Sequence, residues 1–119
     1  MLVDLCHTVS RSEPLVRVYE SKVLLNSAAS AILGIDEQSC LSFKTNDRDA
    51  GHVYVGNVCS ARQCYPVRRR ANTFYVSDCN LARNLAERLQ GKGTYRLSKE
   101  DNIEYNGVIY YNIFFRKYD

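Results

Sequence analysis

The sequence predicts an α+β domain: a twisted, mostly antiparallel sheet carrying two short helices. Three observations predict it. Runs of β-branched residues and tyrosines alternate with polar ones between residues 15 and 115, the pattern of half-buried strands. Two short segments carry helix start and stop signals, Asn26 to Gly34 and Ser77-Asp78 to Gly91. Asn106-Gly107 separates two apolar runs, and this dipeptide supplies the positive φ that a tight hairpin turn needs at both central positions. At 119 residues, 45% apolar and 24% charged, the chain is one domain's worth and can bury a core without staples.

Residues 1–14 are ambiguous, with Leu2, Val3 and Leu5 able to form a short strand and Ser10 to Pro14 reading as a turn. Leu15 to Leu25 reads as one long strand, or two broken near Ser21. Asn26 offers an N-cap to a helix over Ser27 to Leu33, and Gly34 ends it. The small residues Ser27 to Ala31 suit either tight packing or a dimer contact. Cys40 to Lys44 and His52 to Val58 read as strands around a polar turn, Thr45 to Gly51. Cys64 to Arg70 and Thr73 to Val76 form a further pair joined around Ala71-Asn72. Leu81, Leu85 and Leu89, with Ala82 and Ala86, make one apolar stripe on a second helix capped by Ser77 or Asp78. Arg83 and Glu87 fall on its exposed side, and Gly91 terminates it. Thr94 to Leu97 is a short strand, followed by the Ile103–Tyr105 and Val108–Phe115 hairpin. The last strand is apolar on both faces and is expected to be central.

The expected core is Leu24, Leu25, Leu33, Leu41, Phe43, Val53, Val55, Phe74, Val76, Leu81, Leu85, Leu89, Ile109, Ile113 and Phe115. Residues 1–119 read as a single domain. Within it, residues 15–58 and 64–115 share a strand, capped helix, glycine, strand scheme, which suggests an internal βαββ duplication.

The net charge of +3 is uneven. Residues 1–60 hold five Lys/Arg and seven Asp/Glu, whereas residues 61–119 hold eleven and six. A basic second half points to a phosphate-bearing partner. The five cysteines, Cys6, Cys40, Cys59, Cys64 and Cys79, are odd in number and lack metal-ligand spacing. They read as mostly buried thiols in a reducing compartment. No leader or membrane-spanning run is visible, so a cytoplasmic location and no membrane partner are expected.

Residues 21–39, Ser-Lys-Val-Leu-Leu-Asn-Ser-Ala-Ala-Ser-Ala-Ile-Leu-Gly-Ile-Asp-Glu-Gln-Ser, resemble the AbrB-type swapped-hairpin transcription regulators. Lys22 falls at that family's basic position, Val23 and Leu25 match its strand, and Leu33-Gly34-Ile35 matches its helix end. The chain departs from the pattern at Asn26, where the family has Pro, and at Ser30, where it has a helix Arg often used for DNA contact. Gln38-Ser39 stands where the family has Gly-Asp. The resemblance implies a dimer, or a pseudo-dimer of the two halves, that binds duplex DNA. The order of strands followed by a helix, twice, also looks like the whirly and positive-cofactor type of single-strand binders, by topology alone.

No catalytic constellation is visible. His7 and His52 have no nucleophile at motif spacing. Asp47, Asp49 and His52 do not follow a calcium-loop pattern. Asp36-Glu37, Asp101 and Glu104 are scattered acids in turns. Gly91-Lys92-Gly93 lacks the context of a phosphate loop and reads as a helix-to-strand turn. No metal and no cofactor are expected.

The segment Tyr65-Pro66-Val67-Arg68-Arg69-Arg70, preceded by Arg62, is the most suggestive. Strand alternation places Arg68 and Arg70 on one face and Arg69 on the other. A charged edge strand that discourages pairing explains it. So does a basic rim with Tyr75, Tyr95 and the Arg116-Lys117 tail, since cations interleaved with aromatics suit single-stranded nucleic acid. The leading expectation is a non-catalytic DNA- or RNA-binding, regulatory domain, acting as a homodimer. Arg62, Arg68, Arg70, Lys92, Arg116 and Lys117 would contact phosphate. A self-associating protein-interaction module is the alternative, and an enzyme with an unrecognised site the third class.

Overall fold

The computed structural model describes residues 13–46, 49–58 and 64–118. The early strand over Leu2 to Leu5, His7, Cys6, Cys59, Arg62 and Asp47 lie outside them. Among the described residues nine strands and two helices follow in order: β1 Leu15–Val18, β2 Lys22–Leu25, α1 Ser27–Leu33, β3 Cys40–Asn46, β4 Asp49–Val58, β5 Tyr65–Pro66, β6 Arg68–Arg70, β7 Thr73–Ser77, α2 Cys79–Arg88, β8 Gly93–Tyr105 and β9 Val108–Lys117.

Every strand pairing is antiparallel. The strands run β5-β3-β4-β9-β8-β1-β2-β7-β6 across one sheet. Its two outermost strands are consecutive in the chain. Only Val67 separates β5 from β6, and its N–H donates to the Ser39 carbonyl at 3.2 Å. The kinked segment 65–70 thus pairs with β3 through its first part and with β7 through its second. The sheet is mostly antiparallel and carries two helices, as the sequence predicts, and it rolls into a nearly closed barrel. Closure removes most of the unpaired edge that an open sheet must protect.

The strand order has a symmetry. Exchanging β1 with the β5–β6 segment, β2 with β7, β3 with β8 and β4 with β9 leaves every pairing in place. The helices follow the same exchange, since α1 joins β2 to β3 and α2 joins β7 to β8.

Local chemistry sets the helices. The Asn26 side-chain oxygen accepts from Ala29 N at 2.9 Å and from Leu15 N at 3.0 Å, while its amide donates to the Glu13 carbonyl at 2.7 Å. One residue therefore caps α1 and fastens it to the start of β1. Gly34 follows in the left-handed region, with φ 64. At the equivalent place Asp78 caps α2 by accepting from Leu81 N at 2.8 Å. Ala29 and Ser30 are buried, so tight packing accounts for these two small residues, while Ser27 and Ala31 are exposed. Leu81, Leu85 and Leu89 are buried as their spacing predicts, each contributing about 1.5–3 kcal/mol. That burial holds a helix too short to persist alone.

Inward rows fill the barrel: Leu25, Val16 and Tyr95 lie on directly paired positions, as do Val76, Val23 and Val18, all nearly or wholly shielded from solvent. Four expectations need correction. Leu24 is only half-buried, because its strand neighbours Val23 and Leu25 take the inward positions. Ile109 is exposed, because it sits on the β8–β9 arm beyond the barrel wall. Thr94–Leu97 and Ile103–Tyr105 are parts of one strand, β8, interrupted by a bulge in which residues 99–101 lie between the Ser98–Asn112 and Asn102–Tyr111 pairs. Cys40 and Cys64 are half-buried and Cys79 is exposed, so burial of the thiols is less complete than expected. Phe115 belongs to β9, its side chain lying outside the described residues. The last strand is central, between β4 and β8. Asn106 and Gly107 both take positive φ, 53 and 81. No helix among the described residues is long and apolar enough to cross a membrane.

Candidate nucleic-acid interface

In an antiparallel ladder, directly paired residues project to the same face. One outward row crosses five strands: Arg68 of β6 pairs with Tyr75 of β7, Tyr75 with Leu24 of β2, Leu24 with Arg17 of β1, and Arg17 with Thr94 of β8. At a spacing of about 4.8 Å per strand the row spans roughly 19 Å. Flanking rows hold Arg70 opposite Thr73, and Lys22 opposite Ser77. Arg17, Arg68 and Arg70 are exposed, and Leu24 and Tyr75 half-buried. Among the described residues these three rows hold the cations Arg17, Lys22, Arg68 and Arg70 and no acid.

Aromatic rings lie among the cations. Lys22 Nζ is 5.2 Å from the Tyr19 ring centroid and 5.7 Å from that of Tyr75. Arg17 Cζ lies 5.8 Å from the Tyr19 ring. The Arg17 guanidinium is held in place, its Nε donating to Thr94 Oγ1 at 2.9 Å and its Nη1 to the Tyr19 hydroxyl at 3.3 Å. Arg96, paired with Leu15 and so on the same outward face as Thr94, is engaged by Glu13 at 3.1 Å and lies over the Tyr118 ring.

Arg68 and Arg70 therefore share the face that alternation assigns them. Arg69 takes the opposite row, paired with Phe74, where it meets Glu37 at 3.7 Å and donates to the Ala71 carbonyl. Lys92 and Lys117 line a cleft at the Arg17 end of the wall. Arg116 is exposed but lies outside the lining of that cleft. Tyr95, expected to join the rim, is fully buried and its hydroxyl donates to the Gly91 carbonyl. Burial pushes its pKa above the ordinary value of 10.0, partly offset by a backbone hydrogen bond from Gln90. A ring in the core cannot stack on a base.

Comparisons with protein-family models, curated proteins and solved structures find no match.

Sequence reasoning missed Arg17 and Tyr19, and singled out Lys22 only through the AbrB-type resemblance and not as a phosphate contact. Their signal was the alternation in residues 15–25, where the outward positions are Arg17, Lys22 and Leu24. A second polar group, on the wall opposite, was also missed. Asn112 is nearly fully buried, with its amide nitrogen 2.9 Å from Asp101 Oδ2 and 3.4 Å from His52 Nδ1. The bulge at residues 99–101 brings Asp101 over it. An amide nitrogen only donates, so Asn112 separates the imidazole from the carboxylate and passes no proton between them. This is a hydrogen-bonded fastening of the bulge. Among the described residues no three His, Cys, Asp or Glu side chains are grouped to hold a metal ion.

Proposed function

We propose that the chain is a non-catalytic nucleic-acid-binding domain, and that a single strand of DNA or RNA crosses the outer wall formed by β6, β7, β2, β1 and β8. The observation that carries this reading is the convergence of Arg17, Lys22, Arg68 and Arg70 around Tyr19 and Tyr75 on one face. Cations that track a phosphate backbone, set among rings on which bases stack, are the physical requirements of sequence-tolerant single-strand binding. The strand order, unchanged when the halves are exchanged, favours an internal duplication. It also favours the pseudo-dimer form of the AbrB-type resemblance, in which one chain supplies both halves of the barrel.

The test is fluorescence anisotropy with single- and double-stranded DNA and RNA, titrated across salt. Four neutralised phosphates give a slope of log K against log salt of about −3 for a single strand. Arg68→Ala with Arg70→Ala should reduce it to about −1.4. Tyr75→Ala should weaken binding by about 1–3 kcal/mol, the worth of one stacked base. Absence of binding at low salt refutes the reading.

A second reading rests on the β8–β9 arm, where Ile103, Tyr105 and Ile109 are 44–53% exposed. It is a self-associating module, dimerising through this arm. Sedimentation equilibrium of wild type and Ile103→Lys separates the two: a dimer abolished by the substitution, with nucleic acid unbound, favours self-association.

A further inference from the structure

The turn between β1 and β2 faces the turn between α2 and β8 across a cleft of about 550 Å³, lined by Arg17, Tyr19, Glu20, Lys92, Thr94 and Lys117 among others. Resting on the strand-binding reading above, we propose that this cleft takes a phosphate monoester, the terminal phosphate of the strand that crosses the wall.

Charge is the first argument. Among the described residues of the lining, the cations Arg17, Lys92 and Lys117 outnumber the one carboxylate, Glu20, which suits the roughly −1.5 to −2 of a phosphate monoester near neutral pH. A backbone phosphodiester carries about half that charge, so the cleft favours an end over an interior linkage. The second argument is preorganisation. Arg17 is fixed by Thr94 and Tyr19, and these two hydroxyls also stand in the lining as hydrogen-bonding groups. A guanidinium held in this way presents its charge to phosphate at little further ordering cost.

The third argument is the Gly91-Lys92-Gly93 turn. Both glycines take positive φ, 89 and 151. A Cβ on Gly93 would lie 3.2 Å from Lys117 Cδ and Cε, and one on Gly91 would lie 3.9 Å from Lys117 Nζ. The bare turn therefore lets the Lys117 stem lie across it and brings its ammonium to the same rim as Lys92. Glu20 opposes an anion, but its contact with Lys92 is long, 3.9 Å, and exposed on both sides, so it holds that ammonium loosely. The C-terminal end of α2 would oppose one too. There the Tyr95 hydroxyl already occupies the Gly91 carbonyl. Finally, Arg17 and Thr94 belong both to the cleft and to the outward row, so a strand on the wall ends here without a change of direction.

The experiment compares one short oligonucleotide bearing a 5′-phosphate, a 3′-phosphate or only hydroxyl ends, together with a nucleoside monophosphate, against the full chain. One phosphorylated form should bind about tenfold more tightly than the hydroxyl form, the worth of one net charge-assisted hydrogen bond. That preference should vanish in Lys92→Ala and in Lys117→Ala and grow in Glu20→Gln, with unchanged thermal midpoints. Equal affinity of all three strands, still dependent on Arg68 and Tyr75, overturns the cleft proposal and leaves the strand reading standing. Binding of the monophosphate through Lys92 and Lys117, with no strand bound, overturns the strand reading and with it the terminus as the source of the phosphate.

Discussion

Tyr95→Phe isolates one hydrogen bond at the centre of this architecture. The ring is fully buried between β1 and β9 and remains in the variant, so no cavity opens. What is lost is the bond from the hydroxyl to the Gly91 carbonyl. Leaving that carbonyl unpaired costs about 1–2 kcal/mol, a fall in midpoint of roughly 4 °C per kcal/mol for a chain of this size. The pH dependence is more specific. The folded pKa of Tyr95 is raised above its unfolded value of 10.0 by burial. Below pH 10 both states keep the proton and the contribution is complete. As pH rises further, the unfolded chain loses the proton first, and wild type loses stability by up to about 1.4 kcal/mol per pH unit. The phenylalanine variant has no such proton to lose. Every other residue is common to the two proteins and cancels in the difference. Urea unfolding followed by circular dichroism at pH 7, 9, 10 and 11 should show the variant less stable at neutrality. The two stabilities should draw together as pH rises above 10. A constant gap across this range, or equal stability at pH 7, refutes the account of Tyr95.

Other perturbations test the local arguments by urea or thermal denaturation. Asn26→Ala removes three hydrogen bonds that tie α1 to β1 and should cost about 2–3 kcal/mol; a loss under 0.5 kcal/mol, roughly what an uninvolved surface position shows, contradicts the tie. Gly34→Ala meets no atom within 4 Å, so its cost should be conformational alone, about 1 kcal/mol. Gly56→Ala sets a Cβ 2.9 Å from Tyr110 Cδ2 and 3.0 Å from Val108 Cγ1, and overpacking of about 1–3 kcal/mol should follow. Amide exchange should then report loosening of the β4–β9 ladder around Tyr110.

What could be read from sequence was whatever a few adjacent residues decide. Asn26, Gly34, Asp78 and Asn106-Gly107 each act within one turn, and all four stand in their expected roles. The leucine stripe of α2 and the inward valines of β4 followed from periodicity. Closure of the barrel did not, because it depends on a single kinked residue, Val67, whose partner Ser39 lies far away in sequence. The continuity of β8 was hidden because Lys99, Glu100 and Asp101 look like a turn, whereas they bulge from a strand that continues past them. The interface divides the same way. Arg68 and Arg70 were legible from alternation, but Arg17 and Lys22 join them only through the β2–β7 pairing, which no local pattern encodes. Tyr95 was misjudged because tyrosine is equally at home on a wet face and in a core with its hydroxyl satisfied.

The exchange symmetry of the strand order has a consequence for how this chain is made. Four of the cross-strand contacts, β1 with β8, β2 with β7, β3 with β5 and β4 with β9, join the first half to the second. Neither half owns a closed wall, so a growing chain released up to residue 58 has hairpins with nothing to lean on. The barrel can close only when β9 slides between β4 and β8. Such long-range pairing makes folding slow. It also means that two separately produced halves, cut in the 59–63 connection, would meet as strangers and leave as one molecule.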